Sequence, residues 1–139
     1  MRKYILLTIV IIIMNCYFAE AYSKELIINP TSKIFYVDDD FTDDPTNHKW
    51  DSIQEGINDA DNGDTVYVYS GTYLENLTVN KTINIFGQDK NSTNIVSGDR
   101  IWILADYVNI SGFKITIGDQ GINLFSNYSQ IFDVWISSY

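Results

Sequence analysis

One short phrase recurs three times in this chain, and it constrains the fold more than any other feature. Thr82-Ile83-Asn84-Ile85-Phe86-Gly87 is followed 25 residues on by Tyr107-Val108-Asn109-Ile110-Ser111-Gly112. Tyr128-Ser129-Gln130-Ile131-Phe132-Asp133 comes 21 residues after that. Each copy places two alternating apolar positions before a turn residue. A period in the low twenties built on strand-like alternation predicts a stacked solenoid, because one such unit cannot bury its apolar face alone. From Thr65 onward short strands with period two continue to Trp135-Ile136, each closed within a few residues by Gly, Asn, Asp or Ser. Many short strands without crossover helices exclude a doubly wound α/β sheet. Two or three strands per repeat fit the coil of a parallel β-helix.

The N-terminus reads as a different kind of segment. Arg2 and Lys3 precede an apolar run from Ile5 to Met14, and Ala19-Glu20-Ala21 offers a small-residue cleavage site. Residues 1–21 are therefore expected to be a secretory signal peptide. The alternative is an uncleaved anchor, although the run is about half of the roughly 20 residues that a spanning helix needs. The only cysteine, Cys16, lies in this segment, so the mature chain would have no disulfide and would rely on its core. Removing the signal leaves seven Lys/Arg and seventeen Asp/Glu, a net charge of −10. Such a balance argues against nucleic acid and against anionic membrane surfaces as partners. No membrane contact is expected beyond the signal peptide, and the expected location is secreted or at the cell surface. Asn76, Asn80, Asn91, Asn109 and Asn127 each begin an Asn-x-Ser/Thr sequon and are glycan-acceptor candidates. Solenoid turns are also simply rich in these residue types.

Residues 22–49 divide into a polar lead-in, a strand at Ile34-Phe35-Tyr36-Val37 and an acidic loop. Trp50, Ile53, Ile57 and Ala60 then recur at helical spacing, which predicts one amphipathic helix within 50–62. Residues 63–139 hold the coils. Asp51-Ser52-Ile53-Gln54-Glu55-Gly56-Ile57-Asn58-Asp59-Ala60 resembles the capping helix of right-handed β-helices of the pectin-lyase-like superfamily. Gly63-Asp64-Thr65-Val66-Tyr67-Val68, Gly71-Thr72-Tyr73-Leu74-Glu75-Asn76 and Val79-Asn80-Lys81-Thr82-Ile83-Asn84-Ile85-Phe86-Gly87 are similar to the segments that follow that helix. Asn109-Ile110-Ser111-Gly112-Phe113-Lys114-Ile115 looks like a later coil. These segments are also similar to archaeal and bacterial surface β-helix proteins, some of them NosD-like. The resemblance implies an all-β, right-handed parallel β-helix of about three coils with an N-terminal capping α-helix. The helix would cover an open end that otherwise exposes core and unpaired backbone. No such cap is visible at the other end, so the coils are expected to be incomplete, with further coils or domains beyond residue 139.

Alternation also assigns faces. If Val66/Val68, Ile83/Ile85, Val108/Ile110 and Ile131 point inward, their neighbours point outward. The expected outward rows are Tyr67–Asn84–Asn109–Gln130, Tyr69–Phe86–Ser111–Phe132 and Thr65–Thr82–Tyr107–Tyr128, with Gly87 and Gly112 stacked at a corner. Aromatic faces beside amides can stack on sugar rings and bond their hydroxyls. Tyr67, Asn84, Asn109, Gln130, Tyr69, Phe86 and Tyr107 are therefore the candidate glycan-binding residues. The opposing reading is that a polar ladder only solubilises the sheet.

Catalytic signals are thin. Arg100 is the only arginine of the mature chain, Asp99, Asp106, Asp119 and Asp133 fall at turns without evident pairing, and His48 is the sole histidine. Lyase and hydrolase chemistry needs a convergent base or a carboxylate pair. No catalytic residue is assigned. Asp38, Asp39, Asp40, Asp43 and Asp44 offer hard oxygen ligands that could hold Ca2+, but their spacing is not that of an EF-hand loop. Copper delivery, associated with NosD-like proteins, is not carried over, because soft ligands are nearly absent. The expected function is a non-catalytic secreted or surface module that binds glycans or serves in the envelope or in adhesion. The alternative is the N-terminal part of a polysaccharide lyase or pectin esterase whose catalytic coils lie further on.

Overall fold

The repeated phrases stack directly on one another. A computed structural model of the chain describes residues 31–118 and 120–138. The proposed signal peptide, with Cys16, and Asp119 lie outside the described residues. The strands are β1 (Ile34–Val37), β2 (Lys49–Trp50), β3 (Thr65–Val68), β4 (Gly71–Tyr73), β5 (Thr78–Val79), β6 (Asn84–Gly87) and β7 (Thr93–Ser97). They continue with β8 (Ile101–Ile103), β9 (Asn109–Ser111), β10 (Lys114–Ile117), β11 (Ile122–Leu124), β12 (Gln130–Phe132) and β13 (Trp135–Ser138). Among the described residues one α-helix, α1 (Ile53–Asp59), precedes β3.

All named strand pairs are parallel, in three sheets with the orders β12-β9-β6-β3-β1-β2, β13-β10-β7-β4 and β11-β8-β5. The chain visits the sheets in turn, so β3–β5, β6–β8 and β9–β11 are three turns of a parallel β-solenoid, and β12–β13 begin another. The core is the column between the sheets. Val66, Ile85 and Ile110 stack from one sheet, Tyr73, Ile95 and Ile115 from the second, and Val79 and Ile103 from the third, each at most 3% exposed. Strand alternation produces this: inward residues are buried and their neighbours half-exposed, as in the pattern of β7.

Helix α1 is shorter than the 50–62 span, because Lys49 and Trp50 pair with Tyr36 and Val37 as β2. Ser52 begins the helix, accepting the Glu55 N–H. Ile53, Ile57 and Ala60 are fully buried and belong to the solenoid core, and Trp50 packs at its margin. Gly56 leaves room there: a Cβ would meet Val37 Cγ2 at 3.0 Å.

Glu75 receives the first two helical N–H groups, Ile53 and Gln54, both at 2.9 Å. Burial pushes its carboxyl above the usual carboxylate range, against the pull of those two N–H groups, and the charges of Asp51 and Glu55 add to the rise. The folded state thus holds the Glu75 proton more firmly than the unfolded chain. Stability from this group is full below the ordinary glutamate value and is lost as pH rises through the raised one. Glu75→Gln cannot titrate, so its stability deficit against wild type should be larger at pH 4 than at pH 7. Urea unfolding of both proteins at the two pH values measures this; a deficit that grows with pH contradicts it.

Candidate functional site

The first coil sits two residues away from its expected register. Thr65 pairs with Asn84 and Tyr67 with Phe86, rather than Tyr67 with Asn84 and Tyr69 with Phe86. A two-residue slip keeps Val66 and Val68 facing inward, so alternation alone does not choose between the two registers. The corner chooses: the Asn62 side chain accepts the Thr82 N–H at 2.9 Å, and Gly63 N–H donates to the Thr82 carbonyl at 2.7 Å. The outward rows are therefore Ile34–Thr65–Asn84–Asn109–Gln130 and Lys49–Tyr36–Tyr67–Phe86–Ser111–Phe132. In the third expected row Thr65 gives way to Gly63. Thr82 Oγ1 donates to the Asp106 carbonyl, and Tyr107 stacks on Tyr128 at 5.0 Å and 13°.

This register gathers the aromatics near the helix-capped end. Tyr67 and Tyr69 meet edge to face at 5.3 Å, Tyr36 stacks on Tyr69 at 6.3 Å, and Phe41 from the loop meets Tyr69 at 5.9 Å. Ile34, Tyr36, Thr65, Tyr67, Tyr69 and Phe86 line an open, mainly apolar groove of about 560 Å³. Next to it, Asn109 Nδ2 donates to Asn84 Oδ1 at 2.8 Å, so the two amides form a ladder with one donor group and one acceptor oxygen outside that bond. Gln130 extends the row and is exposed. Of the seven candidate residues, Tyr67, Tyr69 and Phe86 line the groove and Asn84 adjoins it. Asn109 and Gln130 lie progressively further along the sheet. Tyr107 lies at a corner, against Tyr128. Tyr36 and Ile34 were missed because β1 is about thirty residues before β3 in sequence.

The five aspartates of the acidic loop do not converge. Asp38 accepts the Asp40 N–H, Asp39 the Thr72 N–H, Asp43 the Asp51 N–H, and Asp44 both N–H groups of Asn47. The Asn47 side-chain bond, first among several, holds the Asp44 carboxyl below the usual range. Asp43, Asp51 and Glu55 bring one oxygen each within 4.8 Å of one another, all exposed, so among the described residues the nearest approach to a cation site uses one aspartate of the loop and two carboxylates from the start of the helix. His48 packs against Phe35 and lies 3.6 Å from the Asp59 carboxylate. Arg100 donates to Gln120 and covers the Trp102 ring at 5.2 Å. Among the sequon residues, Asn80 is exposed at the end of β5. Asn76 accepts from Ser97 and Asp99, Asn91 and Asn127 bond Asp89 and Asp106, and Asn109 is in the ladder.

Among the described residues no helix is long and apolar enough to cross a membrane. Comparison of the chain with family models, with curated proteins and with solved structures found no match.

Proposed function

We propose that this chain is a non-catalytic, secreted or cell-surface β-helix module that binds a glycan along the six-stranded sheet. The solenoid is taken as right-handed, of the pectin-lyase-like kind, in keeping with the hand of nearly all parallel crossover connections. The observation that carries the reading is the aromatic groove beside an amide ladder. Tyr36, Tyr67, Tyr69 and Phe86 offer ring surface for the apolar face of a sugar. Thr65, Asn84 and Asn109 offer donors and acceptors for its hydroxyls. The groove lining contains no carboxylate, which favours binding over cleavage, and Lys49 beyond Tyr36 is the one charged residue of its aromatic row. Tyr67→Ala should weaken binding of oligosaccharides by about tenfold or more, and Asn109→Ala by less. Array screening followed by calorimetry on the best ligand measures both. Affinity unchanged in Tyr67→Ala would falsify the assignment of this face.

A further inference from the structure

Side chains from ahead of the first coil clamp two of its strands. The Gln54 amide lies along β5 like a strand residue: Oε1 accepts the Thr78 N–H at 2.7 Å, and Nε2 donates to the Thr78 carbonyl at 3.3 Å. The Asp39 carboxylate covers β4, accepting the Thr72 N–H at 3.1 Å. The corner that fixes the register of this coil is held differently. Asp61 to Asp64 form a tight turn, closed by the Asp64 N–H on the Asp61 carbonyl at 3.1 Å and by the Asp61 N–H on the Asp64 carboxylate at 2.8 Å. Asn62 and Gly63, its central residues, are exposed, and Gly63 has the positive φ, +95°, that a type II turn asks of its third residue. Both are joined to the next coil through the main chain of Thr82.

Asn62-Gly63 is also the only place in the chain where glycine follows asparagine. With no side chain beside it, a glycine nitrogen can close on the side-chain carbonyl carbon of the residue before it more readily than any other. No atom lies within 4 Å of the place that a Gly63 Cβ would take, so packing does not shield this pair. The corner shields it instead. The Gly63 N–H, which would become the nucleophile, donates to the Thr82 carbonyl at 2.7 Å. Asn62 Oδ1, on the amide that would be attacked, accepts the Thr82 N–H at 2.9 Å. Both reacting groups are thus bonded to one residue of the next coil rather than to each other.

We infer that Asn62 is a modification site, its amide kept while this corner is closed and converted to aspartate and isoaspartate when the corner opens. In the open turn the Gly63 nitrogen gives its proton to solvent and bonds to Asn62 Cγ. The bond from Cγ to the side-chain nitrogen breaks, and that nitrogen leaves as ammonia. The five-membered imide then takes up a water molecule at either carbonyl, giving aspartate or, with the main chain rerouted through the side chain, isoaspartate. The sum is amide and water to acid and ammonia, and nothing is oxidised or reduced. The product disfavours closure. Isoaspartate lengthens the main chain between the two groups that meet Thr82, and a new negative charge falls between Asp61 and Asp64 in a chain that already carries −9. Openings of the first corner are thereby recorded one way.

The test holds the full chain at physiological pH and temperature, folded in buffer or unfolded in guanidinium chloride. Conversion at Asn62 is followed by peptide mass and by isoaspartate-specific enzymatic methylation. The folded chain should convert at least about tenfold more slowly, and hydrogen exchange at the Gly63 N–H should be slowed by a like factor. Asp64→Ala frees the Asp61 N–H and loosens the turn, so while its far-ultraviolet circular dichroism is retained it should convert severalfold faster than wild type in buffer. The isoaspartate form, separated by charge, should unfold at lower urea. Equal rates in the folded and unfolded wild type, an unprotected Gly63 N–H, a folded Asp64→Ala chain no faster than wild type, or an isoaspartate form of unchanged stability would each overturn the inference; the wild-type measurements decide it if Asp64→Ala does not fold.

Discussion

Gly112→Ala should cost this protein about 4 kcal/mol, a large share of the 5–15 kcal/mol typical of a single domain. Gly112 holds φ at +80°, a left-handed conformation that costs an L-residue about 1–2 kcal/mol. The greater part comes from what lies beneath it. A Cβ at Gly112 would overlap the Gly87 carbonyl oxygen and come within 3.3 Å of the Gly87 Cα, while a Cβ at Gly87 would overlap the Gly112 carbonyl. Both obstacles are backbone, so relief requires parting β6 from the coil that carries β9. Gly63→Ala separates the two causes. Gly63 also has a left-handed φ, +95°, but no atom lies within 4 Å of its Cβ position. That variant should lose only about 1 kcal/mol. Urea unfolding midpoints for the pair decide the matter: equal losses would show that the close backbone stacking is not the cause.

Asp64→Ala should cost about 3 kcal/mol. Asp64 is 4% exposed, and its two oxygens accept the N–H groups of Lys33 and Asp61, both at 2.8 Å. The first bond ties the lead-in to β1 onto the corner of the first coil, and the second holds the turn after α1. Two charge-assisted bonds are lost together, leaving partly buried N–H donors without their acceptor. Asp64→Asn keeps one oxygen and should fall between alanine and wild type. Thermal unfolding of the three proteins tests the order; an asparagine variant as unstable as the alanine one would mean that a single remaining acceptor oxygen contributes nothing.

The sequence and the structure agree where the reason is periodic and part where it is a single bond. Ile85, Ile110 and Ile131 could be stacked, and Gly87 placed over Gly112, from the repeated phrase alone, because alternation and a sharp corner both leave marks in residue type. The register of Tyr67 could not be read that way. Val66 and Val68 are equally good partners for Ile85, and the choice rests on Asn62 and Gly63 bonding Thr82. Tyr67, Tyr69 and Phe86 were legible as outward aromatics, but the groove they form needs Tyr36, brought alongside by a pairing that no local pattern announces. Gln54 stood in a segment resembling a capping helix, and Glu75 in one resembling a stretch that follows it. Their letters were visible, whereas their work, closing the β5 edge and receiving the helix N-terminus, depends on contacts more than twenty residues apart.

The constant coil length has a kinetic side. From β3 onward, strand partners lie 19 to 25 positions apart, as between Thr65 and Asn84 or Asn84 and Asn109. Closing each new coil therefore carries nearly the same entropic cost however many coils already stand, since that cost grows only with the logarithm of loop length. Assembly can then run like a zipper, each finished turn serving as the template for the next, and its slow step is the first template. In this chain the first coil is held by α1, Gln54 and Asp39, which leave the ribosome before the strands they clamp, and Glu75 follows within that coil to hold the start of α1. The helix-capped end becomes a starting block for vectorial folding, and lesions there should slow refolding, while lesions near β13 should chiefly speed unfolding.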